Sequence, residues 1–236
     1  PASRGLIMIT PEYPEAKAGL YLNNPQVVGF KCYHTFSDQI PTLEASIGSY
    51  LPEWAWRVAN EKGLVILLHM VRYGAIADPV NQREIREHCE KYPNARLILA
   101  HAARSFHGPN ARKGVPTLRG LQNVYFDLAG VNESEPMLAI LEEFGPRRIL
   151  WGTDFPISEL RGRAVTIGDG FFWLGPDVID WDKANLCRPT LVGIESLRAL
   201  LEAKQNFGLA QKDMDDICFN NAGRLFGFVQ ESGTVT

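Results

Sequence analysis

Six short apolar runs, most of them stopped by a polar or charged residue, constrain this chain more than any other feature. They are Gly5 to Thr10, Val27 to Tyr33, Leu64 to Met70, Arg96 to Ala100, Val124 to Leu128 and Arg148 to Trp151. Most are near-continuous hydrophobic stretches and not alternations, the pattern of strands covered on both faces in a parallel sheet. They recur at roughly thirty-residue intervals, the length of one strand–helix unit. Helical segments fit between them. Pro52 to Lys62 carries proline in its first turn and meets Gly63 at its end. Pro79 to Tyr92 has Asp78 placed as N-cap and stops against Pro93. Glu135 to Phe144 has Ser134 as N-cap and Gly145 as terminator. Strand, helix, strand, repeated, predicts a parallel α/β domain, either doubly wound or a (β/α)8 barrel. The glycine-rich phosphate loops that would favour the first, GxGxxG or a Walker A sequence, do not occur.

Composition narrows the function. The 236 residues are 45% hydrophobic and 22% charged, the mix of a packed globular chain, and residues 1–236 read as one domain. The net charge of −3 argues against a nucleic-acid footprint and a polybasic membrane surface. Runs such as Leu64 to Leu68 are far too short to span a bilayer. Four scattered cysteines without a CxxC spacing argue against a disulfide framework or zinc finger and predict a reducing, cytoplasmic setting. A strand-like run follows Pro1 almost at once, which predicts that the first part of the natural protein is missing. Past Phe155, the stretch Arg161 to Asp182 places Gly168-Asp169-Gly170 between apolar pieces and carries Phe171, Phe172, Trp173 and Trp181. It predicts a hairpin or flap. Two helices, about Thr190 to Asn206 and Lys212 to Leu225, are expected to close the chain.

The residues that end the runs carry the chemistry. Lys31 lies in or just after the second run; His69 ends the third and His101 the fourth; Asp127 meets the fifth; Asp154 follows the sixth. In a parallel sheet all these ends share one rim, where a barrel gathers its catalytic groups. Each residue alone has an ordinary explanation: a hydrogen-bonded histidine, a snorkelling lysine, a carboxylate holding a loop. Together, two histidines and an aspartate from three strands are costly to desolvate without a purpose. Imidazole and carboxylate are also a ligand set for zinc, manganese or iron(II). His88 reads as solvated, His107 as a loop residue, and His34 as able to reach the mouth of the site. No GxSxG elbow supports a serine hydrolase.

Leu67-Leu68-His69, Leu99-Ala100-His101, Val124-Tyr125-Phe126-Asp127 and Ile149-Leu150-Trp151-Gly152-Thr153-Asp154-Phe155-Pro156 resemble the late-strand motifs of the amidohydrolase superfamily. The similarity is to its amidohydrolase-related branch of metal-dependent hydrolases and decarboxylases. Gly29-Phe30-Lys31 is similar to the fourth-strand motif, and Asn221-Ala222-Gly223-Arg224-Leu225-Phe226 to the C-terminal helix signature. The resemblance implies a (β/α)8 TIM barrel. It makes His69 a metal ligand, Asp154 a metal ligand and proton acceptor, and the catalytic His101 either a second-metal ligand or a group that polarises the bound water or substrate. The family's first-strand His-x-His pair is absent, so the six runs count as strands three to eight, with strands one and two lacking.

The resulting expectation is an enzyme: a metal-dependent hydrolase of a small ester, lactone or amide. A divalent metal, expected to be zinc, would lower the pKa of bound water. Asp154 would act as general base and His101 would hydrogen-bond the oxyanion. Lys31 and Arg104 would hold a substrate carboxylate. The partner is a small molecule, with no nucleic acid and no membrane, and a homo-oligomer is left open. A metal-dependent non-oxidative decarboxylase using the same residues is the alternative, as is a non-catalytic barrel that has lost its first-strand ligands.

Overall fold

A computed structural model describes residues 3–184, 187, 188 and 190–228. Each of the six apolar runs forms a strand: β1 Gly5–Ile9, β2 Val27–Tyr33, β3 Val65–His69, β4 Arg96–Leu99, β5 Val124–Asp127 and β6 Ile149–Leu150. They pair in chain order into one parallel sheet, with Phe30 opposite Ile66, Ile66 opposite Leu97 and Leu99 opposite Phe126. Gly29 allows the closest approach in this ladder, since a β-carbon there would sit 1.9 Å from the Val65 carbonyl oxygen.

The two faces of the sheet decide between the architectures. Phe30, Cys32, Ile66, Leu68, Leu97, Leu99, Val124 and Phe126 point into the main core. There they meet Trp56 and Ala59 of α2 (Glu53–Lys62), Ile85 and Cys89 of α3 (Pro79–Lys91), and Met137, Ile140 and Leu141 of α5 (Ser134–Phe144). The alternate residues Leu6, Val65, Leu67, Ile98, Tyr125 and Leu150 form a smaller cluster on the other face, closed by Ala222, Leu225 and Phe226 of the terminal helix. A doubly wound sheet carries helices on both faces; helices packed along one face, with strands in sequential order, are the wall of a (β/α)8 barrel. Six of the eight strands of that fold are present, and β1 and β6 are the edges.

The helix punctuation follows local chemistry. Gly63 ends α2 in the left-handed conformation at φ 62°, and the Asp78 side chain accepts from the Val80 N–H to cap α3. In α5 the N-cap is Glu133, one residue before Ser134. Two short helices, α1 (Glu15–Tyr21) and α4 (Gly108–Gly114), are additional to the sequence expectation. The flap is a two-stranded antiparallel hairpin, β7 (Arg163–Ile167) with β8 (Gly170–Leu174). The closing segment is α6 (Val192–Phe207), then α7 (Gln211–Asp215), a π-turn and α8 (Asn221–Leu225). Among the described residues no helix is long and apolar enough to cross a membrane.

Candidate active site

Because the strands are parallel, the chain leaves β2, β3, β4 and β6 at the same rim. A cavity of about 480 Å³ opens there, lined by Tyr33, His34, His69, His101, Arg104, Phe106 and Asp154 from the rim and by Phe171 and Trp173 from the flap. A second cavity of about 250 Å³ lies below it, on the inner face of the sheet. Lys31 and Asp127 line that inner cavity, and His101 and Asp154 border both. The structure therefore brings His69, His101, Arg104 and Asp154 into one cavity and sets Lys31 in the adjoining one.

His101 is held tightly. Its backbone N–H donates to the Asp127 carboxylate at 3.1 Å, and the same oxygen accepts from the Ala129 N–H at 2.9 Å. Asp127 thus fastens the strand ends together through one carboxylate oxygen. The His101 ring is 2.7 Å from the Ala129 carbonyl through Nδ1. A carbonyl only accepts, so Nδ1 carries a proton, and in the neutral ring Nε2 is the acceptor. In that tautomer His101 accepts a proton from a water or hydroxyl; donation to an oxyanion requires the imidazolium.

Past β4 the chain makes one turn of left-handed helix. His101, Ala102, Ala103 and Arg104 have φ of 56°, 51°, 59° and 53°, and Ser105 N–H bonds the His101 carbonyl at 3.0 Å. Each non-glycine residue in this region costs roughly 1–2 kcal/mol. The turn places His101 and Arg104 on the same cavity. Asp154 is also left-handed, at φ 54°. Strained backbone concentrated on three candidate residues is the pattern of a site held in place by its surroundings.

His69 stacks on Tyr33 at 4.3 Å between ring centroids and meets His101 edge-on at 5.0 Å. Burial is the main cause that drives its pKa down, to about 2, with His101, Arg104, Lys31 and His34 adding to the effect. Its Nδ1 is buried with no hydrogen-bond partner among the described residues, as is Nδ1 of His34, whose ring lies 5.6 Å from His69. Arg104 is lowered too, first by burial. Its guanidinium makes one long contact, 3.4 Å to the Met70 carbonyl, and no ion pair among the described residues. Burial also lowers Lys31, against the opposing pull of Asp127 and Asp154.

The other histidines fall elsewhere. His107 is buried at the start of α4 with both ring nitrogens unpartnered among the described residues, outside the cavity lining. His88 is engaged and not free in solvent, bonded to Glu84 and Glu53 and stacked on Trp56. Phe106 and Tyr33 are cavity residues that sequence reasoning missed, and Phe106 links the site to the flap. It stacks on His101 at 5.5 Å and supports Phe171 and Trp173 at 4.8 and 5.3 Å. The hairpin is anchored from outside by Asn132 and Glu133, which bond the N–H groups of Ala164 and Thr166 at 2.8 Å.

The donors have the right chemistry for a divalent metal: an orphaned imidazole nitrogen on His69, the Nε2 of His101 that the Nδ1–carbonyl bond leaves over and the Asp154 carboxylate. Their spacing does not complete a site, because no three His, Cys, Asp or Glu residues among the described ones come together as a metal would need.

Helices along one face of a sequentially ordered parallel sheet, with imidazole and carboxylate groups at the C-terminal rim, define the class. The family model described as amidohydrolase matches residues 16–228, and the chain belongs to that family. It is 26% identical over 135 residues to the L-fucono-1,5-lactonase of Burkholderia ambifaria, covering 48% of this chain and 47% of that protein. The chain thus matches about half the length of this curated relative. Among solved structures it resembles a Burkholderia multivorans amidohydrolase with bound zinc, with a TM-score of 0.62 at 12% identity, covering 95% of this chain and 73% of the other. It also resembles the 5-carboxyvanillate decarboxylase of Sphingomonas paucimobilis, with a TM-score of 0.52 at 12% identity, covering 95% and 66%. At these identities the structural likeness speaks for the fold.

Proposed function

We propose that the rim cavity is the active site of a hydrolase that opens a small lactone or ester bearing an anionic group. The observation that carries this reading is the convergence of His69, His101, Arg104 and Asp154 on one cavity. The lactonase relative supports ring-opening hydrolysis over other chemistries. Arg104 is a half-buried cation without a carboxylate partner among the described residues, and a substrate anion would compensate it. Asp154 is the group to take a proton from an attacking water, with neutral His101 Nε2 as a second acceptor beside it. Phe106, Phe171 and Trp173 form an apolar wall that excludes water. We further propose that His69 and Asp154 contribute to a divalent-metal site, zinc being the expected ion, completed by donors outside the described residues. Decarboxylation is the second reading, favoured by Lys31 in the inner cavity, where an ammonium could neutralise a carboxylate.

The test is a panel of five- and six-membered lactones and aromatic carboxylates, assayed with zinc supplied. Lactone hydrolysis lost in Asp154→Asn is the expected result. Carbon dioxide release without hydrolysis selects the decarboxylase, and neither activity overturns both readings.

A further inference from the structure

A separate cavity of about 450 Å³ opens at the opposite end of the sheet, where the strands begin. It is lined by Arg96, Tyr125, Arg147, Arg148, Asn221, Arg224 and Leu225. Arg96 opens β4, Arg147 and Arg148 precede β6, and Arg224 belongs to α8, so three separate parts of the chain converge their guanidinium groups on one space. Among the described residues the lining contains no carboxylate.

Only one of these arginines has an anionic partner among the described residues. Arg96 donates to the Leu225 carbonyl at 3.1 Å. Arg148 donates to the Gln122 carbonyl and side-chain oxygen and lies 5.0 Å over the Tyr125 ring. These acceptors orient a guanidinium but carry no charge. Arg224 has an anionic partner, Asp216 at 3.1 Å, but that carboxylate is shared with Lys212 at 2.8 Å. Arg147 makes no side-chain hydrogen bond or ion pair among the described residues and is exposed. Three guanidinium groups without an anionic partner, beside a fourth whose carboxylate is shared, repel one another unless an anion enters. Guanidinium forks match the paired oxygens of phosphate, and several forks facing one space suit more than one phosphoryl group.

We propose that this cavity binds a diphosphate group, free or carried on a small organic molecule, at a site separate from the catalytic rim. None of its lining residues lines the rim cavity, so occupancy does not compete with substrate.

Isothermal titration of the purified protein with pyrophosphate, ADP and sulfate, at constant ionic strength, tests it. Pyrophosphate is expected to bind one to one and more tightly than sulfate. Tighter binding of ADP than of pyrophosphate would assign an organic diphosphate, and equal binding the group alone. Arg96→Gln with Arg147→Gln should weaken pyrophosphate at least about tenfold, the loss of charge-assisted hydrogen bonds. Both side chains are exposed, so thermal unfolding in anion-free buffer should be unchanged. Asp154→Asn should leave pyrophosphate binding intact. Sulfate binding as tightly as pyrophosphate would mean an adventitious ion only. That result, unaltered binding in the double variant, or binding lost in Asp154→Asn would overturn the proposal.

Discussion

The two ends of the same sheet are built by opposite rules. Where the strands begin, left-handed turns are made by glycine: Gly63 before β3, Gly120 before β5 and Gly145 before β6, at φ of 62°, 91° and 68°. Where the strands end, the turns are made mostly by residues with side chains. Arg72 and Ala75 follow β3, the run from His101 to Arg104 follows β4, and Asp154 follows β6. These are all the positive-φ non-glycine positions among the described residues. Charges divide the same way. Arg96 and Arg148 at the lower end rest on carbonyls at the surface, whereas Arg104, Lys31 and His69 at the upper end are all shifted first by burial. A chain that needs only a turn uses glycine at little cost. Tolerating strain and desolvation on side chains at one end only marks where those side chains are needed.

The largest effect should come from removing the groups themselves. Asp154→Asn should lower turnover of the substrate found by the panel by at least about 10²-fold, the scale of a lost general base. His69→Ala should do the same. Their melting temperatures should stay close to that of the parent, because both are strand-end residues outside the main core. Activity lost only in proportion to stability would erase the functional difference between the two ends.

The strain itself can be weighed. Ala102 in the left-handed turn and Ala59 in α2 are both fully buried. Ala59→Gly should destabilise, through lost helix preference and one lost methyl. Ala102→Gly loses the same methyl but relieves left-handed strain, so it should cost about 2 kcal/mol less. Denaturant midpoints measure the pair. Equal losses would mean that the upper turn is not strained.

Acid should expose the desolvation. In the folded protein His69 stays neutral down to about pH 2, against an ordinary value of 6.5. The unfolded chain takes up that proton below about 6.5, so it binds more protons in acid. Stability therefore falls as pH drops from 6.5 towards 2, by at most about 1.4 kcal/mol per unit for this group. Burial lowers His34 in the same sense. At the surface, hydrogen bonds from Lys91 and Tyr92 hold Glu53 down at about 2 from 4.5, so its contribution is lost only at more acid pH. Unfolding with chelator present, between pH 6.5 and 4.5, isolates the histidines, and His69→Gln should flatten the slope. An unchanged slope would sever it from His69.

The sequence carried the sheet because strands covered on both faces must be continuously apolar, and all six runs form strands. It carried the helix ends because Gly63, Asp78 and Gly145 act through local chemistry. Glu15–Tyr21 was illegible: only Ala18 of that helix is buried, so no apolar stripe marks it. Gly108–Gly114 begins and ends in glycine and holds proline, which local preference reads as loop. At the site, His69, His101 and Asp154 could be found as polar ends of apolar runs. The left-handed turn could not, since Ala102 and Ala103 carry no signal for positive φ. Nor could Phe106, whose role depends on a hairpin more than fifty residues away in the chain. The arginine cavity is assembled from three distant segments and is likewise invisible in any local pattern.

The smallest predicted effect tests whether the flap belongs to the upper rim's chemistry or only covers it. Along β8, Phe171 and Trp173 face the cavity, while Phe172 between them is 46% exposed. Trp173 touches Phe106, which stacks on His101, so the indole ring reaches the site through one intermediate ring. The hairpin's position does not depend on that ring, because Asn132 and Glu133 hold its backbone. Trp173→Ala should therefore raise KM by about threefold to tenfold, the scale of one aromatic contact, with kcat little changed. Phe172→Ala on the outer face should change neither. If both substitutions leave KM alone and only Trp173→Ala lowers the melting temperature, the indole is packing for the flap. The apolar wall of the site then ends at Phe106.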